Sequence, residues 1–217
     1  MTIFLADARE FLPILVQGLW LTVLVTMGSL VLSTILGLGW VMMRVSGLPW
    51  LARTSLVLVN LIRGVPIIVI LFYIYFVMPD LGISLSALHA AMIGLGLAYS
   101  AYQAENFRAA IESVEAGQRE AAASIGMGWG LTMRRVILPQ ALRVALPGFG
   151  NVCVMMLKDS SQASTITVAE LALQGKLIAS STFKNTTVFT LVALLYLCMS
   201  LPLILFVRRL ERKAAPR

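Results

Sequence analysis

Charged side chains are scarce in this sequence. Asp, Glu, Lys and Arg make up 12% of its 217 residues, whereas apolar residues make up 59%. Because a soluble domain carries about 25% charged residues, the deficit excludes an ordinary soluble domain and predicts a membrane protein. A chain of this length holds about four to six spans. We therefore expect one transmembrane domain covering residues 1–217, with no separate catalytic domain.

The residues that build metal and catalytic sites are also rare. His89 is the only histidine, and the two cysteines, Cys153 and Cys198, both lie in apolar runs. These cysteines are interpreted as small core residues rather than a disulfide or a metal pair. The sequence contains no G-x-x-x-x-G-K-[ST] phosphate loop. We expect no metal site, no cofactor on this chain and no enzymatic activity, and no pattern in it points to nucleic acid.

Long uncharged runs dominate what remains. From Phe11 to Met43 no residue is charged, which exceeds the roughly 20 residues that cross a bilayer. Residues 11–16 of this run are predicted to lie at the membrane interface. Five spans are predicted, at about 18–42, 55–78, 87–107, 137–157 and 186–207, so the fold class is all-α. The N-terminal run is too long for a cleavable signal peptide.

Basic residues are distributed unequally between the loops that these spans create. Twelve fall on one side: Arg44, Arg53, Arg108, Arg119, Arg134, Arg135, Arg143, Arg208, Arg209, Arg212, Lys213 and Arg217. Four fall on the other: Arg9, Lys158, Lys176 and Lys184. Because Lys and Arg collect on the cytoplasmic side, the N-terminus is predicted to be outside and the C-terminus cytoplasmic.

Several polar groups interrupt the spans. Arg63 lies inside or at the edge of span two, where we expect a structural charge, and Pro66 is expected to kink the same helix. In span three, four polar residues follow helical spacing: Tyr99, Tyr102, Gln103 and Asn106. Glu105 lies beside this stripe, within reach of an ion pair with Arg108.

The longest polar interruption, residues 110–135, has the pattern of a short helix followed by a turn. Gln118 to Ile125 is rich in alanine, the best helix former, and Gly126 stands where a left-handed cap would end the helix. A second helix is predicted to start near Leu131.

Beyond spacing, the residues of this interruption resemble a known motif. Glu120-Ala121-Ala122, three residues, Gly126, nine residues and Val136-Ile137-Leu138-Pro139 are similar to the EAA loop of importer-type ABC permeases. Other segments resemble the polar amino-acid permeases of the His/Glu/Gln/Arg/opine type: Arg63-Gly64-Val65-Pro66, Ala101-Tyr102-Gln103-Ala104-Glu105 and Leu157-Lys158-Asp159-Ser160-Ser161. Gln162 differs from the apolar residue usual in that group.

The resemblance implies a type I ABC importer permease in the bacterial inner membrane that moves polar amino acids. It implies coupling through Glu120, Ala121, Ala122, Gly126, Leu138 and Pro139, and a substrate path near Tyr102, Gln103, Glu105, Lys158, Asp159 and Ser160. The implied partners are a cytoplasmic ATPase dimer that binds the ATP, a second permease subunit and an external binding protein, besides the amino acid and membrane lipid.

Other classes of protein fit parts of the pattern. A secondary transporter or channel would explain Arg63, Glu105 and Asp159 as an ion path, but not the spacing of the EAA-like loop. A permease of the same architecture for methionine or a metal complex is a second alternative. A membrane-bound enzyme is a third, without a supporting cluster. If Lys158 and Asp159 have no role in binding the substrate, we expect them to cap the end of span four and to pair with each other.

Overall fold

The computed structural model describes residues 2–214, and within that range every regular element is helical. The α-helices are α1 (Thr2–Val45), α2 (Pro49–Gly64), α3 (Ile67–Phe72), α4 (Ala87–Glu112), α5 (Ala116–Ser124), α6 (Trp129–Thr132), α7 (Leu138–Asp159), α8 (Leu171–Thr182) and α9 (Asn185–Ala214). Short π and 3-10 turns extend α3 to Leu81, join α6 to α7 and continue α7 to Ile166.

Helix α1 is longer than the span predicted for it. It continues without interruption from Thr2 to Val45, and Phe11 and Leu15 in its first part are buried against α8 and α9. The other side chains of residues 11–16 are exposed, and the location of this segment at the membrane interface stays a prediction. At the start of α9, Lys184 Nζ donates to the buried carboxylate of Asp7 at 2.6 Å, and this carboxylate raises the pKa of Lys184.

Span two is broken rather than continuous. Helix α2 ends at Gly64, α3 begins at Ile67, and the two meet at 97°. Pro66 precedes α3 in an extended conformation, as expected of a residue that lacks an N–H and cannot continue a helix without losing a hydrogen bond. The kink predicted at Pro66 is confirmed, and it is a sharp elbow.

Helix α4 forms the centre of the molecule, and α1 packs along it in the same direction. Small residues allow the close approach: Gly28 lies against Met92, Gly96 against Leu32, and Gly37 against Gln103. Helix α7 runs opposite to α4, since Asn106 reaches Ala145 while Tyr99 reaches Asp159. We call the end of the molecule that contains Val45 and α5 the α5 end.

By length and composition, three helical segments of the described residues could cross a membrane: 4–45, 129–166 and 185–212. The bent pair α2–α3 would make a fourth. Helix α4 is not among them, and most of its buried positions are occupied by Ala, Gly, Ser and Gln, with Leu95, Tyr99 and Ile111 as the large exceptions. A helix enclosed by other helices contacts little lipid, so it does not need an apolar surface.

The cysteines differ in their surroundings. Cys153 is buried in α7, whereas Cys198 is exposed on α9, and both are free thiols. The core interpretation is thus correct for Cys153 and wrong for Cys198, because Cys198 is exposed within residues 2–214.

Candidate coupling and transport sites

Helix α5 projects from the α5 end as a short exposed element. Glu120 and Ala121 are exposed, and Ala122 alone among its residues is buried, at 3% exposure. Arg119 fixes the element to the bundle by donating to the carbonyl of Ile111 at 2.9 Å. The result is a helix attached to the bundle whose outer face is exposed to another protein.

The turn after α5 has the geometry of a Schellman cap. The N–H of Gly126 donates to Ala123 at 2.9 Å, and the N–H of Met127 donates to Ala122 at 3.0 Å. Gly126 has φ of 76°, a conformation that L-residues with a Cβ rarely adopt. The predicted left-handed cap at Gly126 is therefore confirmed. Its Cβ position faces open space, so the constraint at this glycine is the backbone angle rather than steric room.

Leu138 and Pro139 lie apart from α5, at the beginning of α7. The helix starts earlier than predicted, at Trp129, and passes through a π turn over Met133–Ile137 before α7 proper. A proline at position 139 cannot donate a backbone hydrogen bond, and the π turn immediately before it alters the hydrogen-bonding register there. Leu138 and Pro139 are exposed.

The polar stripe of α4 contacts three different neighbours. Tyr99 is buried and donates to Oδ2 of Asp159 at 2.6 Å. Asn106 donates from Nδ2 to the carbonyl of Ala145 at 3.1 Å. Gln103 has no exposed surface, lies against Gly37 of α1, and has no hydrogen-bond partner for either amide atom. The helical spacing was predicted correctly, but it does not create one polar surface.

Tyr102 is the member of the stripe that reaches the protein surface, at 37% exposure. The guanidinium of Arg63, at the elbow between α2 and α3, lies 5.7 Å from the centroid of the Tyr102 ring, within range of a cation–π contact. The Tyr102 and Tyr99 rings are 5.7 Å apart. Arg63, Tyr102, Tyr99 and Asp159 thus form a continuous series of contacts from the elbow to the end of α7.

Glu105 belongs to an ion-pair cluster at the α5 end. Its carboxylate lies 2.8 Å from Arg108 and 3.3 Å from Arg44 of α1. The predicted local pair with Arg108 is confirmed, and Arg44 adds a contact that spacing within α4 could not predict.

The segment after α7 contains residues in three environments. Lys158 is exposed, Asp159 is partly buried, and Ser160 is buried with its hydroxyl donating to Leu157 at 2.7 Å. No salt bridge joins Lys158 to Asp159 among residues 2–214. Asp159 is instead paired with Tyr99, so the alternative of local pairing with Lys158 is wrong.

Glu170 is a buried carboxylate that sequence reasoning did not single out. It has no exposed surface and accepts hydrogen bonds from the backbone of Ala172 (3.0 Å) and Leu173 (2.9 Å), which cap α8. It also accepts from Tyr196 at 2.7 Å and Thr22 at 3.3 Å. Burial raises the pKa of its carboxyl group, while these hydrogen bonds act to lower it. A lone Glu immediately before an apolar helix was the available signal, since a carboxylate is favourable at a helix N-terminus.

The all-helical fold and the exposed helix α5 with its Gly126 cap agree with a family of transport proteins. The chain belongs to the family of binding-protein-dependent transport system inner membrane components, whose model matches residues 29–216. It is therefore a multi-pass protein of the bacterial inner membrane.

Individual relatives cover almost the whole chain. The chain is 42% identical over 208 residues to the probable amino-acid ABC transporter permease protein YckA of Bacillus subtilis, covering 96% of this chain and 92% of that protein. It is 38% identical over 211 residues to the glutamine transport system permease protein GlnP of Escherichia coli, covering 93% of both.

Solved structures show the same fold. A chain from the crystal structure of an amino acid ABC transporter with histidines superposes with a TM-score of 0.90 at 32% identity, covering 96% of this chain and 97% of that one. A chain of the MetNI methionine ABC transporter superposes with a TM-score of 0.79 at 22% identity, covering 95% and 99%; this second likeness concerns the fold alone.

Proposed function

We propose that this chain is the membrane permease subunit of an ABC importer for polar amino acids, driven by separate ATPase subunits. The observation that carries this proposal is the exposed helix α5 with its Gly126 cap, in a chain whose relatives bear the names of amino-acid permeases. The chain contributes no ATP-hydrolysing group. It provides the pathway for the amino acid and receives the movement of the ATPase subunits.

Coupling takes place at α5. Its outer face presents Glu120 and Ala121, where the small Ala side chain lets a partner backbone approach and the carboxylate supplies a charge at the rim of the contact. Ile125, 77% exposed, adds an apolar contact. A cytoplasmic ATPase dimer docks here, and the connection of Arg119 to Ile111 transmits its movement to α4.

The chain crosses the membrane five times, with α4 as the crossing that the other helices surround. The N-terminus is outside, and the α5 end faces the cytoplasm. The support is the excess of basic residues in loops at that end, together with the common direction of α1 and α4 and the opposite direction of α7.

An amino acid carries an ammonium and a carboxylate, and both need partners within the membrane. Asp159 offers a negative charge, and Arg63 and Lys158 offer positive charges. Tyr102 lies between Arg63 and Tyr99 at the surface. The substrate path follows this series, while Gln103, Ser160 and Glu105 hold the helices that form its wall. A second permease subunit completes the path, and an external binding protein delivers the amino acid.

Uptake by the reconstituted complex tests the proposal. The permease, its ATPase and its binding protein are placed in proteoliposomes, and uptake of a panel of polar amino acids is measured with internal ATP. We expect vanadate to abolish uptake and an uncoupler to leave it intact. Inhibition by the uncoupler with vanadate insensitivity would instead identify an ion-coupled carrier, and uptake of methionine alone would identify a different solute class.

A further inference from the structure

An apolar groove of about 400 Å³ opens between the ends of three helices at the α5 end. Helix α1 supplies one wall, α7 the other, and the end of α4 lies beneath them. Its floor is made of small, buried side chains: Val41, Ala110, Ala141 and Ala145. Its volume is that of a ligand pocket.

Away from Trp129 at its mouth, the groove contains no free hydrogen-bonding side chain. Thr34 and Trp129 are the lining residues with a hydrogen-bonding side chain, and the Thr34 hydroxyl already donates to the carbonyl of Leu30 at 2.7 Å. The walls expose large apolar side chains outward, with Met42 at 67% and Leu142 at 59% exposure. An occupant of this groove must itself be apolar along its length, since any polar group would be desolvated there without a partner.

Two arginines lie next to the mouth of the groove in the sequence, although neither lines it. Met133 and Leu138 line it, and between them the π turn displays Arg134 and Arg135, both exposed. Neither arginine forms an ion pair with a carboxylate among residues 2–214. Trp129, 60% exposed at the same mouth, is the residue type that lies at the headgroup level of membranes.

We propose that this groove binds one acyl chain of an anionic phospholipid, whose phosphate lies against Arg134 and Arg135. An apolar groove and a pair of unpaired cations in the adjoining π turn fit an amphipathic anion, with the headgroup in the polar region and the chain in the hydrocarbon. Arg134 and Arg135 lie in the π turn between α6 and α7, shortly after α5 in the chain. The bound lipid therefore contacts the segment through which the permease meets its ATPase.

Photolabelling of the assembled transporter tests the site. The probe is phosphatidylglycerol with a photoreactive group midway along one acyl chain, as a minor component of phosphatidylcholine vesicles. We expect stronger labelling of peptides that contain Met42 and Leu142 than of the peptide that contains Leu205 and Phe206, which lie on the outward surface of α9. Phosphatidylcholine carrying the same photoreactive group should label the groove several-fold less.

Two variants separate the chain from the headgroup. Ala145→Leu fills the floor and should reduce groove labelling by both lipids, whereas Ala193→Leu on the exposed face of α9 should not. Arg134→Gln with Arg135→Gln should lower labelling by phosphatidylglycerol alone, by roughly fivefold per arginine. The matched control is Arg208→Gln with Arg209→Gln, another exposed consecutive pair.

Three results would overturn the proposal. Equal labelling of the groove and of the surface at Leu205 would show that the groove is in contact with bulk lipid and has no specific lipid site. Equal labelling by the two lipids would remove the role of the arginine pair. The third result has two parts: the groove is not labelled in the assembled transporter, and Leu142→Cys forms a disulfide with the second permease subunit. Together they would show that a subunit fills the groove.

Discussion

At the scale of single residues, Asp159 is the carboxylate that we propose contacts the substrate. It ends α7, is partly buried and is held by the hydroxyl of Tyr99. Replacing Asp159 with Asn keeps its shape and removes its charge. Because hydrogen bonds to charged groups contribute about 1.5–3 kcal/mol, we expect uptake to fall roughly tenfold or more, while ATP hydrolysis stimulated by the loaded binding protein persists.

Tyr99→Phe provides the control for that prediction. It removes the hydrogen bond and leaves the carboxylate, so it should affect assembly more than amino-acid preference. If Asp159→Asn changes neither uptake nor preference and assembles normally, Asp159 does not contact the substrate.

Glu170 supports a second prediction at this scale. Its carboxylate joins α8 to Thr22 and Tyr196, and Glu170→Gln replaces one acceptor oxygen with a donor. We expect a loss of about 1–3 kcal/mol, measured as a lower thermal midpoint of the purified permease.

The pH dependence of that midpoint has a definite sign. Burial raises the folded-state pKa of Glu170, so the stability that the protonated group contributes is present below the ordinary glutamic acid pKa and is lost as pH rises through the folded value. The midpoint of the wild type should fall over that interval more than the midpoint of Glu170→Gln. Parallel pH profiles would show that the carboxyl group does not titrate in the folded protein.

At the scale of elements, the cap of α5 gives the most direct test of coupling. Gly126→Val places a β-branched residue at a φ of 76°, which costs about 1–2 kcal/mol. We expect loss of uptake and of ATPase stimulation, with insertion in the membrane retained. Gly128→Val is the matched control, because Gly128 has a φ of −67° that valine adopts freely and also faces open space. Normal transport by Gly126→Val would rule out a docking role that depends on this cap.

The elements also show which parts of the fold local sequence determines. The Gly126 cap, the elbow at Pro66 and the short helix α5 were predictable because each depends on the backbone preference of one or two residues. The neighbours of Tyr102 and Gln103 were not predictable, because spacing gives the face of a helix but not the helix packed against it. Glu170 was missed for the same reason, since its partners Thr22 and Tyr196 are far away in sequence.

At the scale of the whole molecule, the orientation of the chain in the membrane is the property to measure first. In a background without Cys153 and Cys198, Ser46→Cys and Ser124→Cys should react with an impermeant thiol reagent only from the cytoplasmic side. Ser180→Cys on the exposed face of α8 should react in intact cells. Removing Cys198 is essential because it is exposed. Labelling of Ser124→Cys in intact cells would reverse the orientation and exclude the ATPase contact.

Hydropathy explains why the number of crossings is harder to predict than the fold class. Low charge content identifies a membrane protein from composition alone, but α4 is shielded from lipid by its neighbours and carries Ser100 and Gln103 inside. A window of apolar residues therefore detects the helices on the outside of the bundle better than the helix at its centre.

The length of α1 has a mechanical consequence. Its 44 residues form a rod about 66 Å long, roughly twice the thickness of the bilayer's hydrocarbon core. One end is fastened to α9 through Asp7 and Lys184, and the other to α4 through Arg44 and Glu105. Because the rod is also packed along α4 between these two ion pairs, α1 holds the two ends of the bundle at a fixed separation.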